Sequence, residues 1–262
     1  YLLLAVPMEN NTFGITMMFV SLFFIALGTG FFKGNLQALV GKLYDDPRYS
    51  KNRDIAFSIF YMFINIGAFF APSVANTINN SVLKAADFTY DASIPSNYVF
   101  LNDEANAVNR NTFIVENLTA EEQALTGSEL EGLLNSKKKS EKVVFTEDID
   151  GALFRLKAAG LNQYTQSGRI TDPTMTVSDE EYELLQSRDP KDAELKSLTS
   201  AKIAGIHVTD PAIGGGAEED TFARNFGENY VQESLSSSYN LAFGVACLSL
   251  ILSALIFILF KT

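Results

Sequence analysis

Residues 13–40 read FGITMMFVSLFFIALGTGFFKGNLQALV, and Lys33 is the single charged residue among them. About 20 mostly apolar residues suffice to cross the roughly 30 Å of hydrocarbon in a bilayer, so this stretch predicts a transmembrane helix. An ammonium at the centre of such a helix costs roughly 2.5–3.5 kcal/mol to insert, which makes an intramembrane lysine a candidate functional residue. The structural alternative is a lysine near the helix end that snorkels to the headgroups.

Three other segments, 1–7, 55–74 and 238–260, are also apolar. The last two are long enough to span a bilayer, whereas 1–7 is too short and is interpreted as the end of a helix that starts upstream. Residues 79–237 hold 27 of the 31 acids and 14 of the 20 bases, a net charge of −13. We therefore expect a piece of a longer polytopic membrane protein that carries an acidic soluble insertion.

The distribution of basic residues predicts the orientation of these spans. The short connection 42–54 carries four Lys or Arg side chains, and the connection 8–10 carries none. Short basic loops stay in the cytoplasm, so we expect a multi-pass protein of the cell membrane with its insertion outside. The predicted organisation is the end of a transmembrane helix at 1–7, transmembrane helices at 12–43, 53–79 and 237–260, a cytoplasmic loop at 44–52, and an extracytoplasmic insertion at 80–236.

The insertion is predicted to be a mostly helical α+β module. Two capping boxes, Thr119 with Glu122 and Ser178 with Glu181, indicate helix starts. A proline at 211 and the glycines 214–216 predict a loop. Helices are predicted over 119–136, 145–159, 178–187 and 192–204, and short strands over 98–101, 113–115, 143–145 and 206–208.

The sequence contains no catalytic or metal-binding signature. His207 is the single histidine and Cys247 the single cysteine, so a zinc site of the usual kind has too few ligands. The acidic clusters 179–181 and 218–220 lack the ligand spacing of a calcium loop. We predict that the chain is not an enzyme and holds no metal or organic cofactor, and we expect no nucleic-acid partner.

Two motifs lie within the apolar segments. Residues 28–35 read GTGFFKGN, but the lysine precedes its glycine inside an apolar helix, which argues against a phosphate-binding loop. The glycines instead indicate close helix packing. In the next segment Phe57, Tyr61 and Asn65 share one helical stripe. Because a mid-span carboxamide needs polar partners, the stripe should face protein or an aqueous cavity; the alternative role is an interhelical hydrogen bond.

These motifs resemble the proton-dependent oligopeptide transporters of the major facilitator superfamily. Residues 28–35 resemble the family's fourth transmembrane helix, and residues 57–69, FSIFYMFINIGAF, match its fifth-helix signature. The resemblance covers about residues 13–72, with 238–260 where a sixth helix falls. It implies an all-α polytopic membrane protein, a partial major facilitator fold that runs from the end of the third to the sixth transmembrane helix.

The resemblance also implies a function. Lys33 corresponds to a cavity lysine that takes part in peptide binding and proton coupling, and Tyr61 and Asn65 correspond to residues that line the peptide site. The implied activity is part of a secondary active transporter that couples proton influx to uptake of di- and tripeptides. The proton is the coupling ion, and the expected partners are small peptides, the lipid bilayer and the missing helices of the same chain.

Two departures from the family pattern and two alternative functions stand beside this interpretation. The family usually has proline where Gly34 stands, and its connection between the fifth and sixth helices is usually short. The same fold carrying nitrate or another small anion is one alternative. A membrane-anchored receptor or adhesin is the other, with the outer insertion as its functional part.

Overall fold

The computed structural model of the protein is mostly helical, and it describes residues 1–7, 12–102, 104–187, 193–209 and 219–259. In chain order its helices are α1 (Leu2–Ala5), α2 (Thr12–Leu43), α3 (Arg53–Ala85), α4 (Ser93–Asn102), α5 (Arg110–Asn117), α6 (Ala120–Gln123), α7 (Gly127–Glu141), α8 (Thr146–Gln166), α9 (Asp179–Ser187), α10 (Ala193–Thr209), α11 (Glu219–Glu228) and α12 (Ser236–Leu259). Single 3₁₀ turns occupy Ser50–Asn52 and Glu104–Asn106, and a π-helical stretch occupies Asn229–Leu235. Two short strands, β1 (Ala107–Val108) and β2 (Val144–Phe145), pair in parallel.

The chain divides into two compact units. The membrane unit comprises Tyr1–Leu83 with Leu235–Thr262, and the insertion unit comprises Lys84–Ser234. Among the described residues, three helices are long and apolar enough to cross a membrane, and they contain α2, α3 and α12. The apolar windows of these helices are almost wholly exposed within the chain, as expected for surfaces that lipid or further helices cover.

The first helix packs on the last one within the membrane unit. The rings of Tyr1 and Phe243 lie 6.4 Å apart. A Cβ atom added to Gly244 on α12 would lie 3.8 Å from the Cβ of Ala5. The small residue thus lets the α1 backbone approach α12 closely, which is the usual way helices associate without a hydrophobic driving force.

The insertion unit is organised around α8, whose residues are buried on most sides. Four aromatic rings from other segments cluster with one ring of its second half, and neighbouring centroids lie 5.3–6.1 Å apart. Fully burying one such side chain contributes roughly 1.5–3 kcal/mol, so this cluster is the main core of the unit. Its members are Phe88, Tyr164, Phe222, Phe226 and Tyr230.

Buried hydrogen bonds hold the segment from Thr89 to Asp91 against this core. The Gln163 side chain accepts from the Thr89 backbone N–H at 2.8 Å and donates to the Thr89 carbonyl at 3.2 Å. The Tyr230 hydroxyl donates to that carbonyl at 3.0 Å and accepts from the Asp91 N–H at 2.8 Å. Tyr182 donates to the Asp91 carboxylate at 2.9 Å, and burial raises the pKa of this phenol. Among the described residues, no buried side-chain nitrogen or oxygen lacks a hydrogen-bond partner.

A smaller core lies beside the two strands. It consists of Phe113, Leu118, Leu134 and Phe145. The predicted capping box is confirmed at the start of α6, where Glu122 accepts from the Thr119 N–H at 2.8 Å and Thr119 Oγ1 accepts from the Glu122 N–H at 3.3 Å. The hydrogen bond from the Thr119 N–H to the Glu122 carboxylate is the largest cause of the lowered pKa of Glu122.

Most predicted helices of the insertion are confirmed, with shifted ends. The segments 145–159, 178–187 and 192–204 correspond to α8, α9 and α10. The predicted single helix 119–136 is wrong, because Thr126 is extended and Gly127 has a φ of +60°, so the chain breaks between α6 and α7. The second capping box is only half formed, since Glu181 N–H donates to Ser178 Oγ while the Glu181 carboxylate pairs with Lys202.

Three of the four predicted strands are wrong. Only 143–145 is confirmed, as β2, whereas 98–101, 113–115 and 206–208 lie within α4, α5 and α10. In α4 the buried residues Ile94, Asn97 and Leu101 recur at a helical period that a four-residue window does not display. The side chain of His207 and the predicted loop around 211–216 lie outside the described residues.

Gly160 on α8 generates a test of the aromatic core. An added Cβ atom would lie 2.9 Å from Phe222 Cε1 and 3.0 Å from Phe226 Cγ. We expect Gly160→Ala to lower the opening free energy of α8 amides by about 1–3 kcal/mol, because overpacking outweighs alanine's better helix propensity. Native-state hydrogen exchange on the full chain measures this quantity.

The matched control is Gly132→Ala on α7, where nothing lies within 4 Å of the added atom. That variant should raise the opening free energy of α7 by up to about 1 kcal/mol. Unchanged protection of α8 in Gly160→Ala would contradict the assignment of this contact to the core.

Candidate functional site

A cavity of about 820 Å³ opens between α2 and α3 in the membrane unit. Its wall is mostly apolar and aromatic, as is usual for small-molecule sites. Besides Tyr1 at the start of the chain, five side chains of α2 and α3 bring polar groups to this wall. They are Thr29, Lys33 and Gln37 from α2, and Tyr61 and Asn65 from α3.

All three residues predicted from the sequence line this one cavity. Lys33 comes from α2, and Tyr61 and Asn65 come from α3, one helical turn apart. Within the described part of the chain, no carboxylate lies at ion-pair distance from the Lys33 ammonium. The cavity thus presents one positive charge on a mostly apolar wall, and the Lys33 side chain is exposed within the chain.

The three residues of the predicted stripe on α3 do not all line the cavity. Tyr61 and Asn65 line the cavity and also a second recess of about 530 Å³ on α3 itself. Phe57 instead packs toward α2, because its Cζ would lie 3.9 Å from a Cβ atom added to Gly41. The other atom near this position is Arg53 Nη2, at 3.5 Å from the added Cβ, so two side chains of α3 approach α2 at Gly41. At Gly28, Gly30 and Gly34 no described atom beyond the backbone of their own helix and their chain neighbours lies within 4 Å of an added Cβ.

Gln37 is a polar cavity residue that the sequence interpretation missed. Its amide Nε2–H donates to the Tyr61 hydroxyl oxygen at 2.9 Å, which links α2 to α3. The signal was present in the spacing, because Gln37 follows Lys33 by four residues and so lies on the same helical face. A glutamine is uncharged and so does not stand out as a candidate site residue in the sequence. Its hydrogen-bond partner, Tyr61, is 24 residues away in sequence.

The arrangement supplies recognition chemistry. Lys33 offers a cation, Tyr61 a hydroxyl, and Gln37 and Asn65 offer amides that both donate and accept. These groups complement a small molecule that carries a carboxylate and peptide-like groups. The aromatic wall suits an apolar side chain of the same molecule.

The insertion unit has a smaller cleft, of about 250 Å³, between α8, α10 and α11. Both acidic and basic side chains line this cleft. Lys157 Nζ forms an ion pair with Asp220 across it, at 2.9 Å. Within the described residues, no group of three or more His, Cys, Asp or Glu side chains is placed to hold a metal ion.

Comparison with protein families finds a match over about the first third of the chain. Residues 1–92 match the family model of the POT family. The prediction of a resemblance to the proton-dependent oligopeptide transporters is thereby confirmed over this part of the chain. The POT family is a family of transporters, which agrees with the prediction that the chain is not an enzyme.

Individual relatives agree with this class. A di-/tripeptide transporter of Lactococcus lactis subsp. lactis is 44% identical over 72 residues, which are 27% of this chain and 14% of that protein. A peptide transporter of Yersinia enterocolitica is 48% identical over 60 residues, 23% of this chain and 11% of that protein. An uncharacterized transporter of Bacillus subtilis is 41% identical over 80 residues, 30% and 14% respectively. The chain thus matches about one seventh or less of these relatives. No solved structure matches it.

Proposed function

We propose that this chain is part of a secondary active transporter that couples proton influx to uptake of di- and tripeptides. The observation that carries the proposal is the convergence of Lys33, Tyr61 and Asn65 on one cavity within the segment that matches the POT family. The relatives named as di-/tripeptide transporters support peptides as the cargo. Alternating access needs two halves that move about a site near the midplane, so transport is a property of the longer protein.

Lys33 is proposed to bind the carboxylate of the peptide and to take part in proton coupling. A lysine is suited to both, because its compact ammonium can exchange one carboxylate partner for another. Since no described carboxylate pairs with Lys33, its resting counter-ion is proposed to come from a helix outside the described residues. Protonation of that acid would release the lysine to the cargo.

Asn65 and Tyr61 are proposed to line the peptide site, with the Asn65 amide bound to the peptide backbone. Both residues lie on the α3 wall of the cavity that holds Lys33. An amide side chain pairs with a peptide group through one donor and one acceptor. Peptides are thus distinguished from simple anions, which need the cation alone.

The insertion unit is proposed to be an extracytoplasmic accessory module that does not take part in transport. Within the membrane unit, Ser238 Oγ donates to Asn79 Oδ1 at 2.6 Å, so the ends of α3 and α12 that flank the insertion lie side by side. Two helices held this way need only a short connection. The insertion unit has its own buried core, as an accessory domain does.

Lys33→Gln tests the transport role in the full-length protein. We expect proton-driven dipeptide uptake in proteoliposomes to fall to background while the protein still inserts, because an uncharged amide cannot hold the cargo carboxylate by ion pairing. The matched control is Lys42→Gln, which removes a lysine in the last turn of α2 and outside the cavity. Uptake by Lys33→Gln near the wild-type rate would refute the role and favour snorkelling.

Asn65→Ala tests recognition of the cargo. Loss of one hydrogen bond costs about 0.5–1.5 kcal/mol, so the Kd for a dipeptide should rise about two- to tenfold. Nitrate should compete with the dipeptide poorly. Asn76→Ala is the control, since Asn76 lies on α3 outside the cavity lining. A lower protein level with unchanged Kd would instead make Asn65 an interhelical contact.

Deletion of residues 84–234 tests the accessory role of the insertion. Joining α3 to α12 through a short Gly/Ser linker should preserve dipeptide uptake per molecule in the membrane within about twofold. Surface labelling of a cysteine placed in the linker measures insertion and tests its extracytoplasmic side. A deletion variant that inserts normally and no longer transports would assign the insertion to the mechanism.

A further inference from the structure

The hydrogen bond between Gln37 and Tyr61 joins the two walls of the cavity. Gln37 Nε2 lies 2.9 Å from the Tyr61 hydroxyl oxygen, within the normal range for a hydrogen bond. Both residues line the cavity that also contains Lys33. This hydrogen bond therefore joins the two helices and also fixes two side chains of the candidate site.

The direction of this hydrogen bond decides what Tyr61 offers to a ligand. A phenol has one hydrogen to donate and an oxygen that accepts. Because the Gln37 amide donates to that oxygen, the Tyr61 hydrogen remains available to a different acceptor. An accepted hydrogen bond also polarises the hydroxyl and makes it a better donor.

The position of Lys33 indicates which acceptor this donor serves. Lys33 precedes Gln37 by one helical turn, and both line the same wall. A cation and a nearby hydroxyl donor together suit a carboxylate, whose two oxygens accept several hydrogen bonds. Donors to ionised acceptors form hydrogen bonds roughly twice as strong as neutral pairs.

We infer that Gln37 is a positioning and specificity-determining residue that holds the Tyr61 hydroxyl as a donor to the carboxylate of the cargo. This inference rests on the proposed peptide transport. Gln37 acts through Tyr61, and the pair discriminates cargo that ends in a free carboxylate from cargo that does not.

The test compares Gln37→Met, Tyr61→Phe and the double variant in the full-length protein reconstituted in proteoliposomes. Methionine keeps the length of the side chain and removes the amide. We expect each single variant to raise the KM for a dipeptide about three- to tenfold with little change in kcat. The double variant should match Tyr61→Phe alone, because Gln37 has no effect once the hydroxyl is gone.

A second arm uses the C-terminal amide of the same dipeptide as the substrate. Gln37→Met should raise its KM less than twofold, since a neutral acceptor gains less from the positioned donor. Gln37→Glu should weaken dipeptide uptake more than Gln37→Met does, because a carboxylate captures the Tyr61 hydrogen and repels the cargo carboxylate. Leu39→Met is the matched control, as it places the same side chain on α2 outside the cavity lining.

The outcomes separate the two hypotheses. Wild-type protein that neither binds nor transports dipeptides overturns the proposed function and this inference with it. Wild-type transport with an unchanged KM in Gln37→Met overturns the inference alone. So does an additive double variant, or an equal loss for the dipeptide and its amide, because a merely structural role of Gln37 predicts those results.

Discussion

The free-energy cost of a lysine in an apolar helix is the constraint on which the membrane unit depends. Placing an ammonium there costs roughly 2.5–3.5 kcal/mol, and a helix facing lipid has nothing to offset this cost. In the structure Lys33 lies in a cavity wall with hydroxyl and amide side chains nearby. These side chains interrupt a mostly apolar wall, and in the proposed transporter an anionic cargo would compensate part of the charge.

The polar residues on the two walls form a connected set. Gln37 bridges α2 to α3 through Tyr61, while Phe57 closes against Gly41 further along the same helices. The Phe57 ring thus lies near α2 at one place, and a hydrogen bond joins the two helices at the cavity. In a membrane, where helices gain nothing from the hydrophobic effect on association, such contacts determine which faces meet.

The insertion unit follows the rules of a water-soluble domain. Its core is a cluster of aromatic side chains around α8, with Gly160 admitting the ring of Phe222. Its buried polar groups pair with one another around Thr89 and Asp91. The Asn79–Ser238 hydrogen bond joins the neighbouring ends of α3 and α12. The entropic cost of closing a loop between them grows slowly with loop length. A large insertion therefore adds little free-energy cost to the membrane unit.

The sequence by itself determined the apolar spans, the resemblance around Lys33 and residues 57–69, and most helices of the insertion, because periodicity and composition are local properties of the chain. It did not determine the short elements, since 98–101 and 113–115 are β-prone in sequence and helical in the structure, where packing overrides propensity. Only the tertiary structure decided that Gln37 belongs with Tyr61 and that Phe57 does not line the cavity. The Gln37–Tyr61 pair and the position of Phe57 both depend on how α2 crosses α3. That crossing is set by contacts between residues far apart in sequence.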